Sequence, residues 1–194
     1  MFMKYRIIYA DPPWAYEVGA ESGLDGIAED HYPTMAMEDI CALPIQDIAD
    51  PKSSVLFLWA TFPKLETAFQ VMAAWKFVYR TVGFVWVKVS ADGVPLKNVG
   101  WWTRSNAEVC LIGVRGTPPP RLDHTISQLE FARREGHSAK PSQIRNLIVQ
   151  LLGDLPRIEL FARPAQQPDL WGKSTDDGWT LWGNETGQHH DLLS

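Results

Sequence analysis

From residue 141 to residue 162 the chain reads PSQIRNLIVQLLGDLPRIELFA, and this stretch narrows the fold more than any other. Ile144, Leu147, Ile148, Leu151 and Leu152 form one helical apolar stripe, Pro141 suits a first turn and Gly153 an end. Arg157–Ala162, RIELFA, follows as a β-prone run. Upstream, Tyr5–Ala10 and Ser54–Ala60 read as buried strands, and Pro63–Phe77 as a helix carrying Leu65, Ala68, Phe69 and Met72 at helical spacing. Val78–Val89 and Ala107–Val114 read as further strands, and Gln128–Ala132 as a short one. Strands alternating with helices predict an α/β fold, a mostly parallel sheet with helices on both faces. The glycine-rich segment Tyr16–Leu43 has no clear period and reads as a long loop.

At 194 residues, with 45% hydrophobic and 21% charged residues, the chain is expected to bury one core rather than remain disordered. Residues 1–186 are expected to form that single domain, with 187–194 a flexible polar tail. No apolar run is long enough to span a bilayer, and two cysteines, Cys41 and Cys110, fit a reducing cytoplasm better than a disulfide scaffold. The formal net charge of −5 argues against a dedicated nucleic-acid clamp. It leaves room for a local basic patch, and Arg104, Arg115, Arg121, Arg133 and Arg134 are candidates for phosphate contacts. His31, His124 and His137 show no ligand spacing with either cysteine, so no metal is expected.

The strand Tyr5–Ala10 stops at Asp11-Pro12-Pro13-Trp14. In open α/β sheets, ligands sit beyond the carboxyl ends of strands, and this turn would lie there. Neither proline has an N–H, so the turn presents a carboxylate and bare carbonyls, with the flat face of Trp14 beside them. An exocyclic aromatic amine matches that set: one hydrogen to Asp11, one to the Pro12 carbonyl, and the ring stacked on an aromatic face. Turn chemistry explains each of the four residues singly; it leaves their combination unexplained.

The chain as a whole resembles the adenine amino-methyltransferases of the messenger-RNA adenosine methyltransferase type, and in particular their small bacterial and phage branch. The segments that carry the resemblance are DPPW, HYPTM (His31–Met35), FLWAT (Phe57–Thr61), VWVK (Val85–Lys88), the Gly100–Gly116 stretch, HSAKP (His137–Pro141), ELFARP (Glu159–Pro164) and GWTLWGNE (Gly178–Glu185), in that order. The resemblance implies a Rossmann-like methyltransferase fold using S-adenosylmethionine, circularly permuted: the catalytic strand comes first and the cofactor strand, Arg157–Ala162, near the C-terminus. The absence of a G-x-G-x-x-G loop after the first strand agrees with this.

The resemblance further implies that Asp11, Pro12, Pro13 and Trp14 are catalytic, and that Asp11, Ser138, Lys140, Phe161, Arg163, Gln166, Asn184 and Glu185 meet the cofactor. Within that set Lys140 faces the charged methionine end, Phe161 and Arg163 line ribose and adenine, and Asn184 with Glu185 clamps the ribose. Trp14, Tyr16, Tyr32, Arg104, Arg133 and Arg134 are the expected substrate contacts, Tyr32 in a gate over the target base. The expected activity is methyl transfer to the amine of adenine in nucleic acid, with DNA favoured because no RNA-targeting module is apparent. The alternatives are an RNA adenine methyltransferase and a catalytically silent nucleic-acid-binding partner; a glutamine methyltransferase would be expected to carry Asn before Pro-Pro-Tyr. A homodimer or a related partner subunit, and a bacterial or phage-infected cytoplasm, complete the expectations.

Overall fold

The computed structural model describes residues 4–15, 34–100, 102–134, 139–162 and 178–183. Seven strands form one sheet in the order β5-β3-β4-β2-β1-β6-β7. They are β1 (Ile7–Ala10), β2 (Ser53–Ala60), β3 (Val78–Lys88), β4 (Ala107–Gly116), β5 (Leu129–Ala132), β6 (Arg157–Leu160) and β7 (Trp179–Trp182). The pairs β2–β1, β1–β6, β6–β7 and β3–β5 are parallel, and β4 runs antiparallel to both β2 and β3. The sheet is therefore mostly parallel but mixed. The reversal has a local cause: among the described residues no helix separates β3 from β4, so the chain returns as a broad hairpin instead of crossing over.

Helices cover both faces. α1 (Met37–Ala42), α2 (Ile45–Ile48) and α3 (Leu65–Ala74) pack on one, where Ile40, Ile45, Ala68, Val71 and Met72 meet Ile8, Ala10, Leu56, Leu58 and Leu160. α4 (Gln143–Leu152) packs on the other, where Ile144, Ile148 and Leu152 meet Ile7, Tyr9, Val55, Phe57 and Trp59. Alternate residues of β1 and β2 thus enter opposite cores, and every residue of β1 is buried. Gly153, at φ 88°, ends α4 and donates its N–H to the Val149 carbonyl.

Three expectations need correction, and one strand was not anticipated. The segment Tyr16–Leu43 is not loop throughout, because α1 occupies its end. That helix has one fully buried residue, Ile40, too little to show a period, and the indole of Trp75 anchors it by donating to the Ile40 carbonyl at 2.9 Å. The expected helix Pro63–Phe77 divides into a 3-10 turn, Phe62–Lys64, and α3, and Lys76 at φ 65° closes it. β1 begins at Ile7, Tyr5 contributing only an isolated bridge to Ala49. GWTLWGNE supplies a strand, β7, which the sequence did not announce. Among the described residues no helix is long and apolar enough to cross a membrane.

Candidate functional site at the strand ends

β1, β2, β6 and β7 run parallel, so their carboxyl ends open on one edge of the sheet. The antiparallel β4 brings its start to the same edge, since Ala60 lies opposite Val109, and β3 ends there, Val87 lying opposite Ala107. Asp11, Thr61, Lys88, Glu108, Phe161 and Gly183 are gathered along this edge by register alone. The chain leaves β1 toward β2 on one side and β6 toward β7 on the other, a switch of direction above which ligands of open α/β sheets bind.

The turn after β1 is tighter than its prolines suggest. Trp14 donates its backbone N–H to the Pro12 carbonyl at 2.9 Å, and Met35 donates to the Pro13 carbonyl at 2.9 Å. The carbonyls expected to be bare are therefore engaged, although each keeps a second lone pair for another donor. Trp14 itself is a correction. Its side chain is 6% exposed, lies in the core with Ala60 and Leu58, and donates Nε1–H to the Trp59 carbonyl at 3.2 Å. Trp14 ties the turn to β2; it offers no open stacking face. The same hydrogen bonds make the turn rigid and leave the Asp11 carboxylate as its outward polar group, with a side chain 22% exposed.

Lys140, just before α4, reaches that carboxylate. Its Nζ lies 2.7 Å from Oδ1 and 2.8 Å from Oδ2 of Asp11 and 3.1 Å from Oε2 of Glu108, and it sits 5.6 Å from the ring centroid of Trp59. The other oxygen of Glu108, Oε1, accepts from Lys88 Nζ. Charges of alternating sign run along the edge: Lys88, Glu108, Lys140, Asp11. Burial alone would lower the pKa of Lys140, but Asp11 and then Glu108 outweigh it, and the ammonium holds its proton beyond the ordinary lysine range. Burial would likewise raise the pKa of Glu108, yet Lys140 and then Lys88 keep it below its usual value. Beneath them burial pushes the Tyr9 phenol and the Cys110 thiol well up, so both stay neutral.

Past β6, Phe161 takes a left-handed conformation at φ 60°, uncommon for a residue with a side chain, and packs edge to face with Trp182 at 5.8 Å between centroids. Gly183 is glycine for steric reasons, because a Cβ there would lie 2.4 Å from the Ala162 carbonyl oxygen. Trp182 Nε1 is buried and has no hydrogen-bond partner among the described residues.

Asp11, Pro12, Lys140 and Phe161 share one edge of the sheet, and Lys140 faces the Asp11 carboxylate directly. Arg104 is exposed in the segment joining β3 to β4, and Arg133, just past β5, is exposed and donates to the Ala91 carbonyl; Arg134 is exposed beside it. Arg115 is elsewhere. It sits where β4 ends against the start of β2, at the opposite edge of the sheet, and donates to the Gln46 carbonyl at 2.6 Å. Tyr16, Tyr32, Ser138, Arg163, Gln166, Asn184 and Glu185 lie outside the described residues. Sequence reasoning missed Glu108 and Lys88; the available signal was a charged residue opening one apolar strand, AEVCLIG, and closing another, VWVK.

With this geometry in view, comparison with known proteins gives a family match and three relatives. The MT-A70 family model matches residues 5–185. The type II methyltransferase M.MunI of Mycoplasma sp is 31% identical over 198 residues, which cover 94% of this chain and 78% of that protein. The human N(6)-adenosine-methyltransferase catalytic subunit METTL3 is 27% identical over 191 residues, covering 97% of this chain but 29% of its own length. The Drosophila melanogaster MT-A70-like N(6)-adenosine-methyltransferase is 26% identical over 170 residues, covering 87% of this chain and 26% of its own length.

Proposed function

The chain belongs to the MT-A70 family, and from that premise we propose that it methylates the exocyclic amine of adenine in DNA, using S-adenosylmethionine. The observation that carries this reading is the Asp11-Pro12 turn, held rigid at the strand ends with its carboxylate fixed by Lys140. DNA is favoured over RNA because the type II methyltransferase is matched over 78% of its length, whereas the human adenosine methyltransferase subunit is matched over 29%.

The residues at this edge fit the cofactor. The Lys140 ammonium, held between Asp11 and Glu108, offers a point positive charge to a carboxylate. Asp11 suits an ammonium, and Phe161 with Trp182 supplies flat surface. Ser138, Arg163, Gln166, Asn184 and Glu185 complete the binding set in this reading. When bound, the cofactor supplies an electrophilic methyl group. The protein's part is to hold the amine. The lone pair of an adenine amine is delocalised into the ring; hydrogen bonds to the Asp11 carboxylate and the Pro12 carbonyl draw the nitrogen toward tetrahedral geometry and fix it for in-line approach. With the methyl group supplied by the bound cofactor, the surplus amine proton would leave along its hydrogen bond to the Asp11 carboxylate. Tyr16 and Tyr32 cover the base, which a duplex must flip out. Arg104, Arg133 and Arg134 meet phosphates.

We place residues 1–186 in one domain, permuted so that the catalytic strand precedes the cofactor strand, and the protein in a bacterial cytoplasm, working as a homodimer or with a related subunit. The test is transfer of labelled methyl to DNA and RNA side by side. Label in DNA that disappears with Asp11→Ala is expected. Label in RNA alone would overturn the choice of substrate, and no label in either would leave a silent partner subunit, which calorimetry with S-adenosylmethionine would then check.

A further inference from the structure

Among the described residues Lys88 is the one member of the alternating row with no ion pair or hydrogen bond to Asp11 or Lys140. It closes β3, is 8% exposed, and both its backbone groups are engaged: its N–H donates to the Asn106 carbonyl at 2.8 Å and its carbonyl accepts from Leu96 at 2.8 Å. Its ammonium lies 5.1 Å from the ring centroid of Trp86 and donates to Glu108 Oε1. A lysine is seldom buried without a reason, since its desolvation must be matched by a partner.

The partner explains the placement. Glu108 gives one oxygen to each cation, Oε1 to Lys88 and Oε2 to Lys140 at 3.1 Å. Two cations on two oxygens fix both the position and the plane of the carboxylate. With Lys88 in place the row sums to zero charge; without it, one ammonium faces two carboxylates. We propose that Lys88 is a positioning residue for methyl transfer, fixing Glu108 so that Glu108 and Lys140 together hold the Asp11 carboxylate in its working orientation.

The proposal rests on the reading of Asp11 as the group that polarises the amine. It goes beyond that reading by making the acid depend on a lysine at the far end of the row, beyond Lys140 and Glu108 and on a different strand. Among the described residues, the titratable and charged groups that face this row are few. Asp11 follows β1, Lys140 precedes α4, Tyr9 and Cys110 lie beneath and are neutral, and Arg133 past β5 is exposed and tied to the Ala91 carbonyl. Glu108 is therefore the group whose protonation answers to Lys88. Loss of the Lys88 charge raises the Glu108 pKa, because burial then meets one cation where it met two. Glu108 would take up a proton at a higher pH, Lys140 would lose its second anchor there, and activity would fall from that pH downward.

The experiment is the pH profile of kcat for the full chain and four variants, Lys88→Met, Lys88→Arg, Glu108→Gln and Lys88→Met with Glu108→Gln, with folding checked by circular dichroism. Lys88→Met is expected to lower kcat about tenfold or more, the scale of loss from a misplaced reacting group. Its acid limb should move up by about one pH unit, the effect of losing one close opposite charge, while S-adenosylmethionine affinity stays within about twofold. Lys88→Arg keeps the charge and the wild-type limb. In the Glu108→Gln background, Lys88→Met should move nothing further, because the titrating group is gone. An acid limb unmoved in Lys88→Met, or moved equally in the Glu108→Gln background, overturns the proposal. Should Lys88→Met fail to fold, Lys88→Cys with and without aminoethylation makes the same comparison on one folded chain. If Asp11→Asn retains activity, the reading of the site fails instead; if Asp11→Asn is dead and Lys88→Met behaves as wild type, only the role of Lys88 fails.

Discussion

Lys140→Met isolates the contribution of the shared ammonium to the folded state. Methionine fills much of the same volume, so the change removes charge more than packing. Two carboxylates that shared one cation are left without it, Asp11 with a side chain 22% exposed and Glu108 with one 12% exposed. Breaking a buried ion pair by removing one partner costs about 3–5 kcal/mol. Two features reduce that here: water reaches Asp11, and Glu108 keeps Lys88. We expect about 2–3 kcal/mol at pH 8, or about 5–10 °C in Tm for a chain of this size.

The pH dependence fixes the cause. Glu108 has a depressed pKa in the folded protein, so its pairing stabilises above the unfolded carboxylate pKa and is lost as pH falls through the folded one. In the variant Glu108 has Lys88 alone to set against its burial, so it binds a proton more readily and is relieved in mild acid. The difference between wild type and Lys140→Met, measured by urea unfolding with equal slopes, should therefore narrow from pH 8 to pH 5. A difference below about 1 kcal/mol at pH 8, or one that does not change with pH, would refute the reasoning.

The same geometry makes two further predictions. Trp14→Phe removes the hydrogen bond to the Trp59 carbonyl and leaves that buried acceptor unpaired, at about 1–3 kcal/mol in chemical unfolding. Methyl transfer should fall with it while S-adenosylmethionine affinity holds, because the turn and not the cofactor surface has been loosened. Arg104→Ala should weaken DNA binding and reduce the slope of log affinity against log salt by about one, whereas Arg115→Ala, at the opposite edge, should change neither in a salt titration by fluorescence anisotropy.

The features legible in the chain were those that repeat locally. The apolar stripe of α4, the two-sided apolar runs of β1 and β2 and the proline stop after Ala10 each arise from short-range chemistry, and each stands where expected. The direction of β4 was less so, because strand polarity depends on the connection and not on the strand's own residues. The burial of Trp14 was also hidden: nothing local tells whether an indole beside a turn faces outward or finds a carbonyl on a neighbouring strand. Glu108 and Lys88 escaped for a related reason. They lie far from Asp11 in sequence, and only the order of strands brings them to one edge.

The reversed course of β4 has an engineering consequence. In a wholly parallel sheet a strand delivers side chains to the ligand edge only as it ends, and the chain then passes into a loop. Here β3 arrives and β4 departs at that edge, each paired on both sides, and the 89–106 excursion hangs between them as a detachable loop with a fixed stem. Beyond the paired Asn98 and Ser105 its length and composition can be exchanged, provided that Leu96 and Asn106 keep the backbone hydrogen bonds that hold Lys88. Segments that read different sequences could be spliced into one methylating scaffold at this point, with the charge row below them left untouched.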